Sequence, residues 1–162
     1  MPAPTIQQPL MPSLLTRLLD PDSLRHVSQP GFGLQNITDS VRFDMEDLFN
    51  TRRSGVEVPK QYEQVQNSIV TYGLPDMTYF DIHNNAECEK ICRMIVALIN
   101  RFEPRLRSVR VSVVKADGAS DRQVRFHIEG LLAVDPAPEV GFDTVVELAT
   151  GKTSVETKTV SA

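Results

Sequence analysis

The chain has 162 residues, 41% hydrophobic and 23% charged, which suits one globular core with extensions. Its formal net charge of −4 argues against nucleic acid as a partner, because proteins that neutralise many phosphates present a basic surface. No apolar run in the sequence approaches the roughly 20 residues that cross a bilayer, and we find no signal peptide. We therefore expect a cytoplasmic protein that neither binds nucleic acid nor inserts into a membrane.

Composition divides the chain into four segments. Residues 1–12, rich in Pro and Gln, predict a flexible arm, and residues 13–27 predict a short docking helix with a linker. Residues 28–158 are predicted to form a single domain, and residues 159–162 a tail.

The docking helix is predicted over residues 13–19 and ends at Asp20-Pro21. A helix this short is unstable alone, so it must dock on its own domain or on a partner. Its apolar side chains Leu14, Leu15 and Leu18 are the candidate contacts.

Apolar periodicity predicts two longer helices within the domain. After a loop at residues 28–36, a helix over residues 38–51 places four apolar residues on one stripe: Val41, Met45, Leu48 and Phe49. The strongest pattern predicts a helix over residues 86–102, and Asn84 with Glu87 resembles a capping box at its start.

The segment between these helices is predicted to be irregular. A polar loop at residues 52–60 leads to a weakly helical stretch at residues 61–71. Tyr72-Gly73-Leu74-Pro75-Asp76 then forms a turn, because Gly permits unusual backbone angles and Pro fixes its own.

Alternating apolar residues predict strands over residues 109–114, 124–129, 142–148 and 153–157. Asp117-Gly118 turns the chain between the first two strands. Gly130 indicates a bulge, because the apolar run that follows it breaks the alternation. Helices followed by a strand meander predict the α+β class with an antiparallel sheet.

Cys88 and Cys92 stand four apart in the second helix and face the same side. We interpret them as reduced core residues, because two cysteines make no disulfide framework. The three histidines, His26, His83 and His127, lie in separate elements with no two at ligand spacing. The sequence therefore predicts neither a metal site nor a cofactor.

Other chemistry finds weak support in the sequence. Gly151-Lys152-Thr153 resembles the end of a phosphate loop, but Val146 holds the position that requires glycine. Asp44 and Asp47 share a helix face, yet that face is the polar one, where charges are usually solvated. The chain has no Trp for sugar stacking, and it lacks the Gly-x-Ser-x-Gly elbow.

The corner after the second helix is unusual in its charge. Pro104 disfavours a helical backbone at Glu103, which therefore lies at the negative end of the helix dipole. Such an acid is better tolerated beside a cation, which Arg105 or Arg107 could supply locally and Arg52 or Arg53 through space. Two interpretations stay open: a helix stop with an incidental surface ion pair, or a rigid charged corner that grips a partner.

Four segments in order resemble the TssE and phage baseplate wedge family, also called the lysozyme-like baseplate family. They are the Leu-rich helix at 14–19, the Ser-Val-Arg to Asn-Thr-Arg helix at 40–52, the Tyr-Gly-Leu-Pro-Asp turn at 72–76 and Glu103-Pro104-Arg105. The match covers roughly residues 13 to 150. Phe43 departs from the Arg of the family, and Met45 and Phe49 depart from its Leu.

The resemblance implies a structural, non-catalytic subunit of the cytoplasmic baseplate of a type VI secretion machine, docked near the inner membrane. The implied partners are the baseplate proteins TssF and TssG, with TssK as a further candidate, and the sheath proteins TssB and TssC. The implied protein-interface residues are Glu103, Pro104, Arg105, Arg42 and Arg52, together with Leu14, Leu15 and Leu18. The alternatives are a peptidoglycan hydrolase and a regulatory module resembling an anti-adaptor.

Overall fold

The computed structural model describes residues 34–77, 84–114, 123–135, 137–148 and 150–158, with Leu18 and Asp81 as single residues. The arm, the tail, the Asp117-Gly118 turn and the docking helix apart from Leu18 lie outside the described residues. The described helices are α1 (Leu34–Asn50), α2 (Glu63–Gln66), a 3-10 turn (Ile69–Thr71) and α3 (Asn85–Phe102). The strands are β1 (Leu106–Val114), β2 (Gln123–Leu132), β3 (Glu139–Glu147) and β4 (Thr153–Lys158).

The strands form one antiparallel sheet in the order β1-β2-β3-β4. The helices pack on its inner face, with α3 against β1 and α1 against β4. The predicted α+β class and the strand meander are therefore confirmed. Large apolar side chains from both layers form the core, and those with almost no exposure include Met45, Ile91, Ile99, Phe126, Ile128 and Phe142.

α1 begins four residues earlier than the sequence predicts. The hydroxyl of Thr38 donates to the carbonyl oxygen of Leu34 at 3.0 Å, so Thr38 lies within the helix and not at its start. Its predicted apolar stripe is confirmed, because all four members are buried. The weakly helical stretch is also confirmed and consists of α2 and the 3-10 turn.

The capping box before α3 is only half right. Asn84 Oδ1 accepts from the backbone N–H of Ala86 at 3.0 Å, as an N-cap should. Glu87 does not reach back to Asn84; its Oε2 accepts from the backbone N–H of Asp81 at 2.7 Å. The side chain of Glu87 thus ties the preceding loop to the first turn of the helix.

The predicted bulge at Gly130 is wrong, because β2 pairs with β3 in continuous register and alternates its burial through Leu132. The irregularity lies opposite, in β1 between Arg107 and Arg110, where Ser108 adopts a φ of 52°. A Cβ on Gly130 would come within 3.3 Å of the carbonyl oxygen of Arg107. Gly130 therefore makes room for a bulge in the neighbouring strand.

The two cysteines lie on the inner side of α3. Cys88 is buried and Cys92 is half-buried, and neither forms a disulfide. Burial raises the pKa of the Cys92 thiol, and the neighbouring Cys88 adds to the effect. None of the helices in the part that the structure describes is long and apolar enough to cross a membrane.

Candidate functional site: a charged corner between helix and sheet

The corner joins the end of α3 to the start of β1. Glu103 caps α3 with a non-helical backbone, and its N–H donates to the carbonyl oxygen of Ile99 at 2.7 Å. Pro104 is exposed at the apex. The carbonyl oxygen of Arg105 accepts from the backbone N–H of Ala133 at 2.7 Å, which fixes the far side of the corner to the end of β2.

Glu103 is buried, with only 3% of its surface exposed. Arg105 forms a bidentate ion pair with the Glu103 carboxylate: Nε donates to Oε1 at 2.7 Å and Nη2 donates to Oε2 at 2.5 Å. The backbone N–H of Arg105 also donates to Oε1, at 3.2 Å. The expected local cation is therefore present, and the carboxylate has its partners despite its burial.

Arg105 also reaches α1, which sequence reasoning missed. Its Nη1 donates to the hydroxyl of Ser40 at 3.0 Å, and its Nη2 donates to a carboxylate oxygen of Asp44. The structure thus joins the carboxylates of Glu103 and Asp44 through one guanidinium. Ser40 and Asp44 stand four apart on one face of α1, but nothing local in the sequence shows which surface that face meets.

The electrostatics of the cluster hold Arg105 charged. Burial alone lowers the pKa of the guanidinium, but the hydrogen bond and charge of Glu103, followed by those of Asp44, raise it above its ordinary value. Nearby, burial raises the pKa of the Tyr72 phenol, and the charges of Asp47, Asp44 and Glu103 raise it further. The arrangement fixes the geometry of the corner, and the carboxylates of Glu103 and Asp44 are both bound by Arg105.

The Tyr-Gly-Leu-Pro-Asp turn fastens the end of α1. The backbone N–H of Leu74 donates to the carbonyl oxygen of Thr51 at 3.0 Å, and the carbonyl oxygen of Leu74 accepts from the backbone N–H of Arg53 at 2.8 Å. Gly73 has a φ of 99°, which favours glycine, and a Cβ there would lie 2.3 Å from the carbonyl oxygen of Thr51. Both features require glycine at this position. Tyr72 packs edge-on against Phe102, with ring centroids 5.1 Å apart. The turn thereby connects α1 with the end of α3.

The remaining predicted interface residues lie apart from the corner. Arg52 is exposed and pairs with Asp76, so it is not the cation that answers Glu103. Arg42 Nη1 donates to Glu46 Oε2 at 3.0 Å and to the carbonyl oxygen of Val155 at 3.2 Å. Leu18 is helical and 81% exposed, while Leu14 and Leu15 lie outside the described residues.

Asn50 belongs to the Asn-Thr-Arg end of the family motif, but its structural role was not predicted from the sequence. Its Nδ2 donates to the carbonyl oxygen of Thr153 at 2.9 Å, and its Oδ1 accepts from the N–H of Thr153 at 2.8 Å. The side-chain amide thus pairs with the outer edge of β4 as a neighbouring strand would. Together with Arg42 on Val155, it closes this edge of the sheet.

The class of protein that emerges is a rigid α+β domain whose polar side chains join its elements to one another. No group of His, Cys, Asp and Glu suited to a metal ion occurs among the described residues. A family model described as baseplate wedge protein gp25 matches residues 35–137. The chain therefore belongs to the baseplate wedge protein gp25 family, which is also the family of TssE and a family of structural baseplate proteins. Searches among curated proteins and among solved structures found no match.

Proposed function

We propose that the chain is the wedge subunit of a type VI secretion baseplate and that it links the baseplate to the contractile sheath. The family supplies the structural baseplate role. The observation that carries the proposal further is the Arg105 cluster, which holds α1, α3 and β1 in one fixed arrangement. A subunit that transmits force between a baseplate and a sheath needs such a rigid junction.

The corner presents Pro104 and the outer part of Arg105 to a partner. Pro104 is exposed and Arg105 is partly exposed, whereas Glu103 is buried behind them. Glu103 in this arrangement positions Arg105 and does not touch the partner. We propose that TssF and TssG bind here, with TssK further out in the same cytoplasmic assembly near the inner membrane.

The two edges of the sheet suggest where the sheath attaches. Side chains of α1 bond to the outer edge of β4 at Thr153 and Val155. In the described part of the chain, no strand or side chain pairs with the outer edge of β1. An open edge can accept an extended segment as an additional strand. We propose that TssB or TssC contributes such a segment to β1.

Affinity purification of the full chain, co-expressed with TssF and TssG, tests this function. We expect both proteins to co-purify with the wild type and to be reduced with a Pro104→Ala, Arg105→Ala double variant. An exposed-site variant, Lys152→Ala, should behave as wild type. Failure of TssF and TssG to co-purify with the wild-type chain would remove the wedge proposal. Retention by the double variant would remove only the corner as the contact.

Muropeptide release from peptidoglycan by the purified chain would instead support the hydrolase alternative. We assign no catalytic step to the chain, since Glu103 is buried and bound by Arg105. Co-purification of a response regulator would support the anti-adaptor alternative.

A further inference from the structure

Phe43 is the aromatic side chain that α1 presents outward. It is 58% exposed, on a helix whose other large apolar side chains are mostly buried. Asp39 and Asp47 stand four residues before and after it, so both residues lie beside Phe43 on the same helix face. Aromatic side chains with this exposure are enriched where proteins bind partners.

The ring of Phe43 is held in position from one side. The guanidinium carbon of Arg42 lies 4.1 Å from the ring centroid. Arg42 is itself fixed by Glu46 and by the backbone of Val155 on β4. The ring is therefore supported on one face before any partner binds, and binding would not have to order it.

The carboxylates beside the ring remain available for binding. In the part of the chain that is described, the side chains of Asp39 and Asp47 make no hydrogen bond or ion pair. Asp44, on the neighbouring position of the helix, is already bound by Arg105. The pKa of Tyr72, raised first by burial and then by Asp47, Asp44 and Glu103, is consistent with a negative potential over this region.

An open aromatic face between two unpaired carboxylates is complementary to a cation. A guanidinium or ammonium group gains from the ring quadrupole and from the carboxylates together, and neither attraction suits an acidic or purely apolar group. Lysine and arginine are the side chains that carry such a group.

We propose that Phe43, Asp39 and Asp47 form a receptor for a lysine or arginine side chain of the wedge partner. The inference rests on the proposed function, because it assumes that the partner is the TssF–TssG complex. The receptor adjoins the corner, since Ser40 and Asp44 lie on the next positions of α1 and bind Arg105. It gives the partner a second, charge-selective contact beside Pro104.

The test is the dissociation constant of the full chain for the co-purified TssF–TssG complex, measured by biolayer interferometry at two salt concentrations. Phe43→Ser should weaken binding at least tenfold, while Phe43→Tyr should stay within threefold of the wild type. Asp39→Asn with Asp47→Asn should weaken binding and flatten its salt dependence, because these carboxylates supply the screened attraction. Ile69→Ser is the matched control, an apolar residue more exposed than Phe43 on another element.

The outcomes separate the receptor from the proposed function. Binding by Phe43→Ser that equals binding by Ile69→Ser would overturn the receptor and leave the wedge role standing. An unchanged salt dependence in the Asp39 and Asp47 double variant would also overturn it. Absence of any binding by the wild-type chain would overturn both proposals. Circular dichroism of each variant verifies that the fold is kept.

Discussion

Arg105 is the residue on which the corner depends. It donates to Glu103, Ser40 and Asp44, and so it joins the end of α3 to α1. The guanidinium offers several donors in a fixed plane, which a lysine ammonium cannot reproduce.

Replacing Arg105 with Ala should lower the free energy of unfolding by about 3 kcal/mol, because the buried Glu103 carboxylate would lose its cation. Arg105→Lys should recover only part of this loss. Urea denaturation measures both variants, and Arg107→Ala, on an exposed residue of the same strand, is the control. Equal midpoints for Arg105→Ala and Arg107→Ala would contradict a structural role for the cluster.

The raised pKa of Tyr72 predicts that the free energy of unfolding falls at alkaline pH. Its pKa is raised by burial and then by Asp47, Asp44 and Glu103, so the unfolded chain releases the phenol proton first as pH rises. The stabilisation that comes from this pKa shift is fully present below about pH 10, the pKa of the phenol in the unfolded chain. It is lost as the pH rises from there through the higher pKa of the folded state. Tyr72→Phe should therefore reduce the fall in unfolding free energy above pH 10. An equal effect from Tyr62→Phe, at an exposed position, would contradict this origin.

At the residue scale, the sequence was informative only about near neighbours. The cation beside Glu103 follows from two residues of separation and from the position of Pro104. The contact between Arg105 and Asp44 spans 61 residues, and it depends on how α1 lies across the corner. Helical periodicity shows which face of α1 is polar, but not what that face contacts.

Among the elements, α1 and β4 form a pair that depends on Asn50. Asn50→Ala should lower the free energy of unfolding by about 1–3 kcal/mol, because the N–H and C=O of Thr153, a residue 1% exposed, would lose their partners. Thermal or urea unfolding measures the loss. Asn100→Ala, on an exposed residue of α3, is the matched control. A midpoint for Asn50→Ala that equals that of Asn100→Ala would show that the edge is closed by other contacts.

Two glycines with positive φ can be compared: Gly73 in the turn after the 3-10 element, and Gly151 between β3 and β4. Gly73→Ala should destabilise by at least about 2 kcal/mol, since its Cβ would meet the oxygen of Thr51 as well as an unfavourable backbone angle. Gly151→Ala has a φ of 70° and open space, so it should lose only about 1–2 kcal/mol. Urea denaturation distinguishes them. A larger loss at Gly151 would show that the contact between the turn and Thr51 is not tight.

At the element scale, periodicity located α1, α3 and the four strands, whereas α2 and the 3-10 turn were predicted only as a weakly helical stretch. The errors concern the start of α1 and the role of Gly130. The start of α1 was placed late because residues 28–36 were predicted to be a loop, whereas the helix begins at Leu34 and the hydroxyl of Thr38 bonds back to Leu34 inside it. Gly130 was assigned a bulge that belongs to β1, because a glycine can serve its own backbone or a neighbouring one. The sequence alone cannot distinguish these two uses.

For the whole molecule, the order of helices and strands was sufficient to predict the α+β class. Consecutive strands with short connections pair as a meander, and the amphipathic helices must cover the apolar face of that sheet. The family assignment is consistent with this architecture and gives the molecule a structural baseplate role. The boundaries at residues 13–27 and 28–158 and the interface residues remain predictions.

The two edges of the sheet differ in the whole molecule. α1 closes β4 through Asn50 and Arg42, whereas β1 ends the described sheet on the other side. Because Lys or Pro on an edge blocks strand addition, a Val111→Pro variant tests the proposed sheath contact. It should abolish binding of a TssB–TssC complex while leaving binding of TssF and TssG intact. Loss of both bindings, with an altered circular dichroism spectrum, would indicate misfolding, and Ser112→Lys then provides the milder edge variant.

The chain is a structural baseplate protein, and we propose that a contractile sheath assembles on that baseplate. The most direct measurement is fluorescence microscopy of a labelled sheath protein in cells that lack the chain, with and without complementation. We predict no extended sheaths without the chain, restoration by the wild type and little restoration by Arg105→Ala. Sheaths that extend and contract at the wild-type frequency in cells lacking the chain would show that it is not required in the baseplate.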